Sequence, residues 1–273
     1  MRLEQLSGAG NHFLLLDARS ELNQPGAGLP DGAMAKEWCA AAAREGGPEP
    51  DGVLVLRPSE VAAAQLEIWN SDGSLAAACG NGLRCAGWLL LRERDLKEVV
   101  VETQAGTRKV SGETAEGGAE RLEAELGLVS VEKFDDTFAL LEGERAAWRG
   151  EAGNPHCVFL VEDVRSGRFE GRGRALQTDP TFPGGVNVGY LAEERGAWKL
   201  RVFERGAGET GACGTGAGAA AAVLREALGL SLPLSLELPA GSLTVAEVAN
   251  GGLSVTGGVE HRGSLILGAE GLK

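Results

Sequence analysis

The chain has 273 residues, of which 39 are acidic and 26 basic, giving a formal net charge of −13; 43% are hydrophobic and 24% charged. Those values describe a folded globular chain, long enough to bury a core without disulfides or a structural metal. The acidic excess opposes a nucleic-acid partner, and no run approaches the ~18 apolar residues of a membrane span.

The residues from Met1 to Gly10 have no apolar secretory core, and the cysteines number five. Together these point to reduced thiols in the cytoplasm. Gly10-Asn11-His12 reads as a loop leading into the apolar run Phe13-Leu14-Leu15-Leu16, which ends at Asp17. Cys39 lies in an Ala-rich helix. Residues 53–56 and 65–69 read as strands. Cys79-Gly80-Asn81-Gly82 is a Gly-rich turn before a helix over 83–94, with Arg92 and Arg94 in the last turn. Strands follow over 99–102 and 121–126. The polar stretch 112–120 between them is a candidate boundary between halves, and the acidic tract 113–125 reads as a solvated face.

Gly153-Asn154-Pro155-His156 repeats the first turn, and Cys157 opens a strand over 157–161. Residues 168–173 read as a loop, 186–191 and 199–203 as strands. Cys213-Gly214-Thr215-Gly216 then precedes a second helix over 217–228, small or apolar on every face and so expected to be buried all round. Strands over 235–238 and 243–248 follow. His261 reads as a surface or domain-joining residue.

Two Gly-Asn turns, each followed downstream by a cysteine-led helix, indicate an internal duplication. Helices are too few between strands for a regular βαβ alternation. The expected fold is therefore α+β: two pseudo-symmetric domains, each an antiparallel-rich sheet or barrel around a central helix. The expected division is 1–117, completed by about 262–273, and 118–261.

Cys79 and Cys213 both stand where a helix begins. A helix amino terminus carries about half a positive charge and unpaired N–H groups, which should pull a thiol below its usual ~8.5. The same N–H groups can hold a carboxylate. With a carboxylate lodged between two such termini, one thiolate could take an α-proton from one face while the other thiol returns a proton to the opposite face. Cys85 lies six residues after Cys79, about 240° around the helix, and with Cys39 and Cys157 reads as an inert core thiol. No cysteine spacing suits zinc. The glycines after Cys213 follow the preceding strand too distantly for a dinucleotide turn, and no P-loop Lys-Ser/Thr follows them.

The chain resembles the diaminopimelate epimerase family. The resemblance rests on Gly10-Asn11-x-Phe13, Asn70-x-Asp72-Gly73-Ser74, Cys79-Gly80-Asn81-Gly82-x-Arg84-Cys85, Gly153-Asn154-Pro155-His156, Asn187-Val188, and the run from Glu204-Arg205-Gly206 through Glu209-Thr210 to Ala212-Cys213-Gly214-Thr215-Gly216. It implies an active site in a cleft between the domains and cofactor-independent interconversion of LL- and meso-2,6-diaminopimelate, in the synthesis of lysine and cell-wall precursors. Cys79 and Cys213 match the acid and base. Gly80, Asn81, Gly214 and Thr215 match the positions that hold the reacting carboxylate. Asn11, Asn70, Asn154, Asn187, Glu204 and Arg205 match substrate-binding positions, and His156 and Glu204 match polar neighbours of the thiols. The resemblance implies no metal or cofactor, and homodimers are common in such families. Two positions depart from the pattern: His12 stands where Asp is common, and Asp51-Gly52 occupies a region where some members carry a glutamine. Both concern recognition of the distal end. The rival readings are a racemase of another free amino acid on the same fold and a non-catalytic redox thiol protein.

Overall fold

The computed structural model describes residues 1–20, 30–76, 79–112 and 120–267. In chain order the first elements are β1 (Arg2–Gly8), β2 (Asn11–Asp17), α1 (Gly32–Arg44), β3 (Gly52–Arg57), β4 (Ala64–Asn70), α2 (Gly80–Arg94), β5 (Glu98–Thr103), β6 (Gly106–Ser111) and β7 (Glu120–Gly127). Next come β8 (Ser130–Lys133), β9 (Glu144–Glu151), β10 (Pro155–Val161), α3 (Phe169–Leu176), β11 (Asn187–Glu194), β12 (Ala197–Glu204) and β13 (Gly208–Thr210). The chain finishes with α4 (Gly214–Leu228), β14 (Leu234–Leu238), β15 (Gly241–Glu247) and β16 (Leu253–Ile266). Two compact units result: Met1–Ala124 with Gly257–Lys273, and Glu125–Thr256. The boundary expected at 117/118 lies outside the described residues.

In the first unit β1–β2 is antiparallel, β2–β3 parallel, β3–β4 antiparallel, β4–β5 parallel, and β5–β6 and β6–β7 antiparallel. β16 neighbours both β7 and β1 and closes an eight-stranded barrel. The parallel pair β2–β3 is buried on both faces, as its unbroken apolar runs require. Phe13, Leu15, Leu54 and Leu56 face the core that contains Leu83, Ala86, Trp88 and Leu90 of α2. Leu14, Leu16, Val53 and Val55 face the opposite way, onto Trp38 and Cys39 of α1. Asp31 caps α1, its Oδ1 accepting from the Met34 N–H at 2.9 Å.

The second unit repeats this order. β9–β10 is antiparallel, β10–β11 parallel, β11–β12 antiparallel, β12–β14 parallel, and β14–β15 and β15–β16 antiparallel, with β8 added at the edge beside β9. Each unit thus holds two parallel pairs joined through a helix: β2–β3 through α1 and β4–β5 through α2 in the first, β10–β11 through α3 and β12–β14 through α4 in the second, with α2 and α4 as the central helices. Every described residue of α4 from Gly214 to Leu224 is buried, as its small-residue composition predicts. Close packing there depends on glycine: a Cβ on Gly218 would lie 2.4 Å from Leu126 Cδ1.

Three expectations need correction. Residues 168–173 belong largely to helix α3, because Phe169, Gly173 and Leu176 form a buried stripe and a bare Gly173 lets the helix lie flat on Phe203, whose ring a Cβ would approach to 2.4 Å. His12 lies within β2, paired with Ser7, not in a loop. Of the acidic tract, 113–119 lies outside the described residues, and the rest is strand β7, where Glu120, Leu122 and Ala124 are buried at alternate positions.

Candidate active site

The two Gly-rich "turns" after Cys79 and Cys213 are helical. α2 begins at Gly80 and α4 at Gly214, each with its cysteine as N-cap in extended geometry: φ −149°, ψ 105° at Cys79 and φ −129°, ψ 113° at Cys213. Each Sγ accepts from the N–H three residues on, Gly82 at 3.3 Å and Gly216 at 3.4 Å. Sulfur here does the work usually given to a Ser or Asp oxygen. Both helices also end alike, in left-handed caps at Asp95 and Gly229. Glycine at the third helical position packs closely on β3: a Cβ on Gly82 would sit 2.9 Å from Leu54 Cδ2.

In the first unit Cys79 is half-buried and its neighbours form a polar cluster. Asn81, 1% exposed, donates through Nδ2 to Asn11 Oδ1 at 2.6 Å. Arg84 donates from Nη2 to Asn81 Oδ1 at 2.5 Å. The expected residues Asn11, Asn81 and Gly80 are thus brought together at the start of α2. Asn70 ends β4 in a turn where its Nδ2 donates to Ser74 Oγ at 2.9 Å, and Asp72 accepts from the Ser74 N–H and hydroxyl. Cys85 is buried on the core side of α2, and burial pushes its thiol up to about 12; Cys39 behaves alike, also pushed up to about 12 by burial. Burial raises the Cys157 thiol as well. His12 is held through its backbone N–H by Asp51 Oδ2 at 2.7 Å, so the two departures from the family pattern meet each other.

In the second unit Cys213 is 3% exposed, with Thr215 Oγ1 3.5 Å from its sulfur. Burial raises this thiol well above its usual range, and the nearby Glu204 carboxylate raises it further, against the lowering from Thr215 and the Gly216 N–H. At Cys213 the direction is therefore upward, the loss of water and the Glu204 charge outweighing the lowering from Thr215 and the Gly216 N–H. Glu204 Oε1 accepts from Thr210 Oγ1 at 2.5 Å. Asn187 ties β11 to its neighbours, with Oδ1 accepting from the Arg205 N–H at 2.9 Å and Nδ2 donating to the Pro155 carbonyl at 3.1 Å. The Arg205 side chain is exposed, with Nη1 3.4 Å from the Gly184 carbonyl. His156, 1% exposed, stands beside Asn187 in the parallel register, and its Nε2 lies 2.9 Å from Asn154 Oδ1. Burial, aided by the Arg205 charge, lowers this histidine to about 3, so it is a neutral ring that positions Asn154.

A family model described as diaminopimelate epimerase matches residues 6–125 and 151–261. A diaminopimelate epimerase of Phenylobacterium zucineum is 36% identical over 280 residues, covering 96% of each chain. One of Rhizorhabdus wittichii is 34% identical over 275 residues, covering 96% of this chain and 93% of that one. The chain belongs to the diaminopimelate epimerase family. A crystal structure of a phenazine biosynthesis protein from Bacillus anthracis superposes with a TM-score of 0.72 over 98% of this chain and 99% of that one. At 16% identity, that likeness is one of fold alone.

Against the diaminopimelate epimerase family background, two residues stand out that sequence reasoning gave no role. Thr210 orients Glu204, and its signal was only a polar residue inside a quoted motif. Arg84 is fully buried beneath the first turn of α2, and its signal was a charge set among the small and apolar residues that precede Arg92. The Glu204 effect on Cys213 is open to test. Glu204→Gln removes a negative charge that disfavours the thiolate, so the pH midpoint for Cys213 alkylation should fall relative to the wild type, as read by peptide mass spectrometry; an unchanged or higher midpoint would contradict the assigned cause.

Proposed function

We propose that the chain interconverts LL- and meso-2,6-diaminopimelate by two-thiol acid–base chemistry, without a cofactor, as a cytoplasmic homodimer. Membership of the diaminopimelate epimerase family supports the substrate and the reaction class. The observation that carries the mechanism is the duplicated cap: the same thiol, at the same helical position, accepting the same amide, opens the central helix of both units. In α4 the Gly216 amide is taken by Cys213 Sγ and the Ala217 amide by the Cys213 carbonyl. The amides of Gly214 and Thr215 are then the first-turn donors for a carboxylate, and Gly80 and Asn81 hold the equivalent positions in α2.

The α-carboxylate of the substrate binds at these amides. One sulfur, as thiolate, accepts the α-proton, and the electron pair left on carbon is delocalised into the carboxylate, whose growing charge the amides stabilise. The other thiol gives its proton to the opposite face. The stereocentre inverts, and the two sulfurs have exchanged protonation states. Arg205 and the asparagines at 11, 70, 154 and 187 bind the substrate, several of them at its distal amino-acid end, where Arg205 can meet a carboxylate through two N–H groups. Cys79 and Cys213 exchange the duties of acid and base with the direction of reaction.

Purified protein in reductant and deuterated water, with no pyridoxal phosphate added, should place deuterium at the α-carbon of diaminopimelate while converting LL to meso. Racemisation of proline with diaminopimelate untouched would replace the substrate. Absence of exchange with every amino acid would leave the redox thiol reading.

A further inference from the structure

Arg84 is 0% exposed, and the other buried positions of α2 are Gly, Asn, Leu, Cys, Ala and Trp. Its guanidinium donates from Nη2 to Asn81 Oδ1 at 2.5 Å and from Nη1 to the Gly80 carbonyl at 3.4 Å. Nε meets no hydrogen-bond acceptor, and no carboxylate pairs with the group among the described residues. Burial lowers its pKa to about 10, which still leaves it charged at neutral pH. A buried cation without a carboxylate is costly, and an apolar side chain of similar volume would satisfy a purely structural need better. Of the described residues, those whose charge acts on Arg84 are the thiols Cys85 and Cys79, which favour its charged form, and Arg121 of β7, which opposes it.

The other central helix lacks any counterpart. Five residues beyond Cys213 stands Gly218, which has no side chain and where a Cβ would lie 2.4 Å from Leu126 Cδ1. One thiol cap therefore has a buried cation beneath it, while the other has the Glu204 carboxylate beside it.

We propose that Arg84 is a positioning residue, which fixes the Asn81 side chain and the Gly80 carbonyl beneath the first turn of α2 and supplies the positive charge that biases Cys79 toward its thiolate. The proposal rests on the two-thiol reading above. Its role is exerted through Asn81 and Cys79.

The test uses the full-length chain and reads the rate of Cys79 alkylation by iodoacetamide against pH, resolved by peptide mass spectrometry. Arg84→Gln keeps an amide that can donate to Asn81 but removes the charge. Its alkylation midpoint should rise by about one pH unit or more. Arg84→Lys keeps the charge but loses the two-point hold, so its midpoint should stay near that of the wild type while KM rises. A midpoint unmoved in Arg84→Gln, or raised equally in both variants, overturns the proposal. If neither Arg84→Gln nor the apolar Arg84→Met folds, the residue is structural and the proposal is likewise overturned. Near-normal turnover in Cys79→Ala would refute the two-thiol reading instead, whereas the alkylation midpoint judges Arg84 without reference to turnover.

Discussion

Replacing either Cys79 or Cys213 by serine is expected to lower epimerase turnover by at least ~10³-fold while leaving stability unchanged or improved. The two effects separate because the thiol has two jobs. As N-cap, each sulfur accepts one weak bond from the Gly82 or Gly216 amide, and serine is the better cap. As acid or base, it must trade a proton with carbon near neutral pH, and a serine hydroxyl ionises far too high for that. Alanine should be equally inactive but should also lose up to ~1 kcal/mol of stability through the missing cap. The double variant should be no less active than either single one, because the two groups act as a unit. The checks are turnover by chiral separation of the two isomers and the urea midpoint. Retention of a tenth or more of wild-type turnover in any single variant would defeat the two-base assignment.

The second large effect is expected at Gly52, far from either thiol in sequence. Gly52 pairs with Phe13 on one side and Asn70 on the other. A Cβ at this position would fall 2.2 Å from the Trp69 carbonyl oxygen and 3.3 Å from Asn70 Cα. Both are backbone atoms in a paired strand, so neither can swing aside. Gly52→Ala should therefore destabilise the first unit by about 2–3 kcal/mol and displace the end of β4 that carries Asn70. With Asn70 assigned to substrate binding and not to proton transfer, KM should rise more than kcat falls. Gly47, where a Cβ would have nothing within 4 Å, provides the neutral comparison. Equal urea midpoints for Gly52→Ala and the wild type would show that the strand pair has room to spare.

Several features of this molecule were readable because their causes are local. The positions of α2 and α4 follow from apolar spacing, and the burial of α4 from its Ala and Gly content. The strands over 53–56 and 157–161 follow from continuous apolar runs, and both lie in parallel pairs covered on two faces. The likeness of the two halves was visible in two short motifs and is matched by the same strand order in each unit.

The remainder depended on neighbours distant in the chain. Helix α3 forms on a stretch whose own glycines and arginines favour a loop, because Phe203 of β12 provides a surface for Gly173. The Cys213 thiol is raised and not lowered, because folding removes water from it and sets Glu204 beside it. Cys79 escapes such enclosure and remains half-buried, although its local motif is nearly the same. Arg84 loses its water only when the barrel closes around α2. Local pattern, then, decided most helices and strands, α3 excepted, and where the thiols stood on them; long-range packing decided which groups lost their water, because desolvation belongs to the assembled fold and not to any stretch of chain.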